Sequence, residues 1–303
     1  MKAQNLVTFA ATAALITSAA ATVTIDYVSV GNAGNTADGT GYGAVSYAYN
    51  IGKYEVTNAE YAQFLNAKGA SNSNGIFNSN MASYGITQTG SSGSFSYNVT
   101  SGFENKPVVY VSWYDAARFT NWLGNGQGGG DMEDGAYTLS GNTGIVTVNS
   151  SANVYLPSED EWYKAAYYNG DTASYSLYPN GQDSITTADA NYNLRVAAST
   201  DVGTYAGDPS FYGTFDQGGN VWEWNDAVIG SSRGLRGGSW SSGGGNLASS
   251  DRLIFGPSNE INNIGFRVAS SSLSAVPEPS SLLSTAGLLG GALLLRRRSK
   301  RAL

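Results

Sequence analysis

The chain has 303 residues, 41% of them apolar and 13% charged, with 39 glycines, a net charge of −7, and neither cysteine nor histidine. This composition belongs to a folded, loop-rich protein and not to a disordered one. It excludes a disulfide scaffold, and it excludes Ser-His-Asp and Cys-His nucleophiles, because both the thiol and the imidazole base are missing.

Residues 1–21 read as a secretory signal. Lys2 supplies the positive start, residues 6–16 are apolar and alanine-rich, and Ala19-Ala20-Ala21 fits a small-residue cleavage site. A buried helix is the alternative, but the stretch opens the chain and stops at Thr22 and Val23, where a strand-like run begins. Export through the Sec pathway is expected, with cleavage after Ala21.

Residues 24–30 alternate as a strand, residues 31–43 form a Gly/Asn/Thr loop, and residues 45–54 form a second strand. Three helices announce themselves by capping boxes. Thr57-Asn58-Ala59-Glu60 opens the first, with Tyr61, Phe64 and Leu65 on one face and Gly69 as the stop. Ser112-Trp113-Tyr114-Asp115 opens the second, with Ala116, Phe119 and Leu123 at helical spacing and Gly124 at its end. Ser158-Glu159-Asp160-Glu161 opens the third, which carries Trp162, Ala165 and Ala166 and stops at Asn169-Gly170. Residues 71–101, 124–135 and 171–189 read as long polar loops, and residues 145–148 as a short strand. No internal repeat or interdomain linker is visible, so residues 22–274 are expected to form one domain.

The chain ends in a second address. Val276-Pro277-Glu278-Pro279 precedes an apolar run at residues 282–295, and then come Arg296, Arg297, Arg298, Lys300 and Arg301. Fourteen helical residues span roughly 21 Å, short of the ~30 Å hydrocarbon core. The basic cluster would stay cytoplasmic. Residues 275–303 resemble the PEP-CTERM sorting signal of Gram-negative bacteria. That resemblance implies an exosortase as partner, membrane contact only through the tail before processing, and a final place in the cell envelope or at the extracellular surface. A permanent anchor is the alternative.

Six of the 16 basic residues and one of the 23 acids lie in these two ends. The part between them carries ten basic and 22 acidic residues and is near −12. No nucleic-acid partner is expected from so acidic a domain. Divalent cations and a polysaccharide-rich exterior are compatible with it.

Six motifs occur in order. They are Gly52-Lys53-Tyr54-Glu55-Val56-Thr57-Asn58, Pro107-Val108-Val109-Tyr110-Val111-Ser112-Trp113, Leu156-Pro157-Ser158-Glu159-Asp160-Glu161-Trp162, Gly219-Asn220-Val221-Trp222-Glu223-Trp224, Arg236-Gly237-Gly238-Ser239-Trp240 and Gly265-Phe266-Arg267-Val268. The paired glycines Gly218-Gly219 and Gly237-Gly238 suit close backbone approach or positive φ. Trp222, Trp224 and Trp240 offer large buried area. Arg236 and Arg267 can reach carbonyls and carboxylates with planar forks.

From about residue 45 to 270 this series resembles the formylglycine-generating enzyme, or sulfatase-modifying factor, family. The resemblance implies an α+β fold, the sulfatase-modifying-factor variant of the C-type lectin fold, loop-rich, with small twisted sheets and about three helices. It also implies calcium. One family site falls on the side chains of Asp216 and Glu223 and the carbonyls of Gly219 and Val221. A second matches Asn191-Tyr192. The other reading of Glu223 is a carboxylate that caps loop amides or pairs with an arginine.

Family oxidases hold copper(I) with two cysteines a few residues after the Arg-Gly-Gly-Ser motif. The corresponding stretch here, residues 240–250, contains serine, glycine, asparagine, leucine and alanine after Trp240. Copper(I) selects thiolate, thioether or imidazole, and serine offers none of these. No copper is expected. A related iron-dependent branch relies on histidines, which are also absent. Glu159, Asp160 and Glu161 read as helix-start acids. Asp131, Glu133 and Asp134 read as solvated or cation-binding acids in a glycine-rich loop. Gly128-Gly129-Gly130 lacks the lysine of a phosphate loop. The expected function is a non-catalytic binding or structural module with a polysaccharide or protein ligand. The alternative is a formylglycine-generating oxidase using another metal or thiol.

Overall fold

A computed structural model describes residues 22–141 and 144–271. Residues 1–21 and 275–303, where a signal and a sorting tail are expected, lie outside the described residues. Among the described residues no helix is long and apolar enough to cross a membrane.

The first strands are β1 (Tyr27–Val30) and β2 (Tyr49–Gly52), shorter than the alternating runs that predict them. They pair antiparallel, with Val28 opposite Ile51. All three predicted helices form: α1 (Asn58–Lys68), α2 (Trp113–Gly124) and α3 (Glu159–Tyr167). Each begins with a reciprocal capping box, made by Thr57 and Glu60, Ser112 and Asp115, and Ser158 and Glu161. The boxes satisfy amides that a first turn leaves unpaired. At the end of α1 the Gly69 N–H returns to the Leu65 carbonyl at 2.6 Å.

The loop expected at residues 71–101 contains more order than its polarity suggests. A 3₁₀ turn (Ser79–Ser83) leads into a hairpin of β3 (Ile86–Thr89) and β4 (Ser96–Val99). Conversely, residues 145–148 do not form the expected strand. Val146 turns into the core while Ile145 faces solvent, and the Arg233 guanidinium donates to the Val146 carbonyl that a partner strand would need.

The short strand β5 (Val154–Tyr155) precedes α3, and the β6 (Tyr168–Asn169) and β7 (Ser174–Tyr175) hairpin follows it. The closing part supplies β8 (Trp222–Ile229), β9 (Ser232–Arg236), β10 (Leu253–Phe255), β11 (Ile264–Phe266) and β12 (Ala269–Ser271). One four-stranded sheet runs β1-β2-β12-β5 and the other β10-β9-β8-β11. The chain therefore closes on its own start, because β12 pairs with β2.

The core sits between the helices and the second sheet. Phe64 of α1 meets Phe119 and Trp122 of α2 at ring distances of 5.7 and 5.3 Å. Phe266 of β11 packs edge-on to Phe119 at 5.5 Å. Such aromatic pairs supply buried area where regular structure is short.

Candidate functional site

The site grows from the parallel pairing of β8 and β11, in which Glu223 lies opposite Gly265. Side chains alternate along a strand, so Arg267, two residues beyond Gly265, returns to the Glu223 face. Arg267 Nε donates to Glu223 Oε2 at 2.6 Å and Nη2 donates to Oε1 at 2.7 Å. Trp162 Nε1 of α3 donates to Oε2 at 2.8 Å. Both partners of this fork are fully buried. The remaining Arg267 donors reach the carbonyls of Gly52, Lys53 and Phe215. The pairing of Glu223 with an arginine is the arrangement found.

Two more carboxyl groups stand near this pair. Glu55 is 1% exposed; its Oε1 accepts from Asn220 Nδ2 at 3.0 Å, and its Oε2 has no hydrogen-bond partner among the described residues. Burial, then Asp216 and Glu223, push its pKa well above the usual carboxylate value, against the pull of Arg267. Asp216 has a left-handed backbone, φ 60°, and its Oδ2 accepts from the Gly203 N–H at 2.6 Å. Burial raises its pKa from 3.8 to about 6, partly offset by that N–H and by Arg267. Three acids thus share one cation, and the Glu55 carboxyl is held toward its neutral form.

Asn191 and Tyr192, far away in sequence, join the same wall. The Asn191 carbonyl accepts from Asn220 N–H at 2.8 Å. Gly219 has φ 83°, and a Cβ there would lie 2.3 Å from the Asn191 carbonyl oxygen. Asn191 Nδ2 donates to the Ala198 carbonyl and to Asn220 Oδ1, and Asn191 Oδ1 has no hydrogen-bond partner among the described residues. The Tyr192 hydroxyl donates to the Ile185 carbonyl. Residues expected at two separate calcium sites therefore meet at the Asn191–Gly219 contact. A Cβ at Gly265 would lie 3.1 Å from the Val221 side chain.

Calcium takes six to eight oxygens. Asp216 has an oxygen to offer, since only its Oδ2 is used, and it lines a recess with Asp189 and Asp208. Asn191 offers its unpaired Oδ1. Glu223 offers nothing without giving up Arg267 or Trp162. Among the described residues no group of three or more acidic side chains is gathered to hold a metal ion.

The stretch after the Arg-Gly-Gly-Ser motif forms a serine-rich turn. Ser239 Oγ lies 3.2 Å from Ser241 Oγ and 3.1 Å from Ser242 Oγ. Asn263 Nδ2 donates to Ser239 and Ser241. Gly237 and Gly238 have φ 96° and 76°, and Cβ atoms there would meet the Gln217 carbonyl at 2.6 Å and Leu247 Cδ1 at 2.7 Å. Gly218, expected to share this behaviour, has no positive φ and faces the side chains of Pro179 and Leu247.

Glu159 does more than start a helix. Its Oε1 accepts from Arg236 Nε at 2.8 Å and lies 3.3 Å from Arg252 Nε. Glu133, read as a solvated or cation-binding acid, accepts from the Arg118 guanidinium at 2.6 Å and from Asn74 at 2.7 Å, tying its loop to α2.

The fold and these motifs define a loop-rich α+β domain of the C-type lectin kind. The chain belongs to the family of sulfatase-modifying factor enzyme 1-like domains, which matches residues 21–272. It is 25% identical to hercynine oxygenase of Mycobacterium tuberculosis over 223 residues, 64% of this chain and 46% of that protein. It is 28% identical to the serine/threonine-protein kinase pkn1 of Chlamydia pneumoniae over 188 residues, 55% of this chain and 24% of that protein. The chain spans less than half the length of these curated relatives. Among solved structures, Treponema denticola variable protein 1 superposes with a TM-score of 0.56 at 20% identity, covering 84% of this chain and 97% of that one. CarF superposes with a TM-score of 0.56 at 24% identity, covering 82% and 98%. These likenesses establish the fold.

Proposed function

We infer that this chain is an exported binding or structural module that acts at the cell surface without catalysing a reaction. The observation that carries this reading is the turn at residues 239–242. Serine hydroxyls there bond to one another and to Asn263, at the start of residues 240–250, the stretch in which the resemblance places copper ligands. Hydroxyls stay protonated at neutral pH and are poor donors to a soft metal. The whole sequence supplies no cysteine or histidine to replace them. Hercynine oxygenase is among the relatives, but the iron-dependent branch relies on imidazole, and this chain has none.

The reading includes calcium as a structural ion, held by Asp216 and the wall of Asn191, Gly219 and Val221, with Glu223 serving as the counter-charge of Arg267. It also includes the two addresses. The signal directs export, and an exosortase processes the tail of an envelope or surface protein.

Incubating the processed chain with a sulfatase-motif cysteine peptide, copper and oxygen tests the reading. The peptide is expected to return unchanged. Catalytic conversion of its cysteine to formylglycine would overturn a non-catalytic role.

A further inference from the structure

One face of the domain presents polar side chains beside several left-handed backbone positions. Tyr84 and Tyr110 are partly exposed, with ring centroids 5.2 Å apart and an interplanar angle of 63°. Tyr110 has φ 59°, a region that side-chain-bearing residues rarely occupy. Its N–H is tied to the Ile261 carbonyl at 3.0 Å. The next residue, Asn262, donates to the Tyr84 hydroxyl at 3.0 Å. Its neighbour Asn263 donates to Ser239 and Ser241, while Asn263 Oδ1 has no hydrogen-bond partner among the described residues.

The row continues. The N–H groups of Asn193 and Leu194 donate to the carbonyls of Ser242 and Trp240, both at 2.8 Å. Asn193, Leu194 and Ala197 all have φ between 54° and 60°. Three left-handed non-glycine residues in so short a segment persist only where the surroundings fix them, and such backbone concentrates at ligand sites.

We propose that this row, from the Tyr84–Tyr110 pair across Asn262, Asn263 and Ser241 to Asn193, binds a neutral polysaccharide strand. The proposal rests on the binding-module reading and names its ligand class. A sugar ring has a C–H face that packs on an aromatic ring, and hydroxyls that both donate and accept. Asparagine and serine side chains match both roles. The named side chains of the row are uncharged, with exposed Arg195 just beyond Asn193 and partly buried Glu260 two residues before Asn262, and the acidic domain around it disfavours polyanions. A protein interface would be expected to centre on buried aromatic or arginine anchors. Here the exposed aliphatic side chains, Leu194 and Val196, are confined to one end.

The test is calorimetric titration of the full chain with neutral hexasaccharides of β-glucan, α-glucan, mannan and galactan, with hexagalacturonate as the charged counterpart. One neutral series is expected to bind. Tyr84→Ala and Ser241→Ala should each weaken it about ten-fold. Ser241 is exposed, so its variant keeps the fold. Tyr47→Ala, at an exposed tyrosine outside the row, should change nothing. Failure of every neutral hexasaccharide, or binding indifferent to both row variants, overturns the proposal. Capture from a peptide array that is lost in Leu194→Ala overturns the sugar but keeps the binding module. Conversion of the cysteine peptide removes the module reading itself.

Discussion

Arg267 uses all five of its N–H donors, and two of them close a fork on Glu223. The pair joins the end of β11 to β8, and its other bonds reach the last residue of β2, the residue after it and the loop before β8. A saturated guanidinium of this kind fixes several chain segments at once.

Removing one partner should therefore be severe. Arg267→Ala leaves Glu223 charged and buried, and is expected to cost about 3–5 kcal/mol, the range for breaking buried pairs. Urea unfolding measures it. A loss below about 1 kcal/mol, the size of a surface pair, would show that the fork does not hold the domain together.

Gly219→Ala should also destabilise strongly. The new Cβ would meet the Asn191 carbonyl oxygen at 2.3 Å in a backbone with φ 83°. The contact is with backbone and cannot swing away, so a loss of more than about 2 kcal/mol is expected. Gly245→Ala is the control, since nothing lies within 4 Å of its Cβ. Equal unfolding midpoints for the two variants would contradict this packing.

Glu55 and Asp216 contribute to the pH dependence with the same sign as Asp115 and Asp226, whose pKa values burial raises to about 7. The folded pKa values of Glu55 and Asp216 are raised by burial first and by neighbouring carboxylates. The native state then holds more protons than the unfolded chain across this window. For Asp216 the contribution is complete below the ordinary 3.8 and is lost as pH rises through about 6. Glu55 acts with the same sign. Stability should therefore fall as pH rises from about 4 to about 7, and Glu55→Gln should flatten that fall while raising stability at pH 7. A wild-type stability that rises across this interval, or a Glu55→Gln profile parallel to wild type, would contradict the arrangement.

Calcium should raise the thermal midpoint of the full chain, and a chelator should reverse the rise. At one hundred times the dissociation constant the gain is about 2.7 kcal/mol. Asp216→Asn is expected to lose most of the shift and Asn191→Ala part of it. No shift in wild type with excess calcium would remove the ion from the proposed function.

The helices were legible because their signals are local. A cap such as Thr57 and its partner Glu60 lie three residues apart, and the turn between them needs no distant chain. The strand expected at residues 145–148 failed because its fate depends on Arg233, 87 residues from Val146. The site was legible as motifs but not as roles. Glu159 looks like an ordinary helix-start acid, and only the fold brings Arg236, 77 residues away, onto its carboxylate. Glu55 sits inside a recognised motif, yet nothing in the local pattern shows that it is buried beside two more acids. Of the calcium expectations, Asp216 and Asn191 keep free oxygens, whereas Glu223 is occupied by an arginine 44 residues further on.

The most direct test of the central claim is anaerobic titration of the processed chain with copper(I) against a competing chelator. With no thiolate, imidazole or preformed soft site after the Arg-Gly-Gly-Ser motif, the chelator should keep the metal at every ratio. Stoichiometric retention of copper(I) by the chain alone would contradict the account.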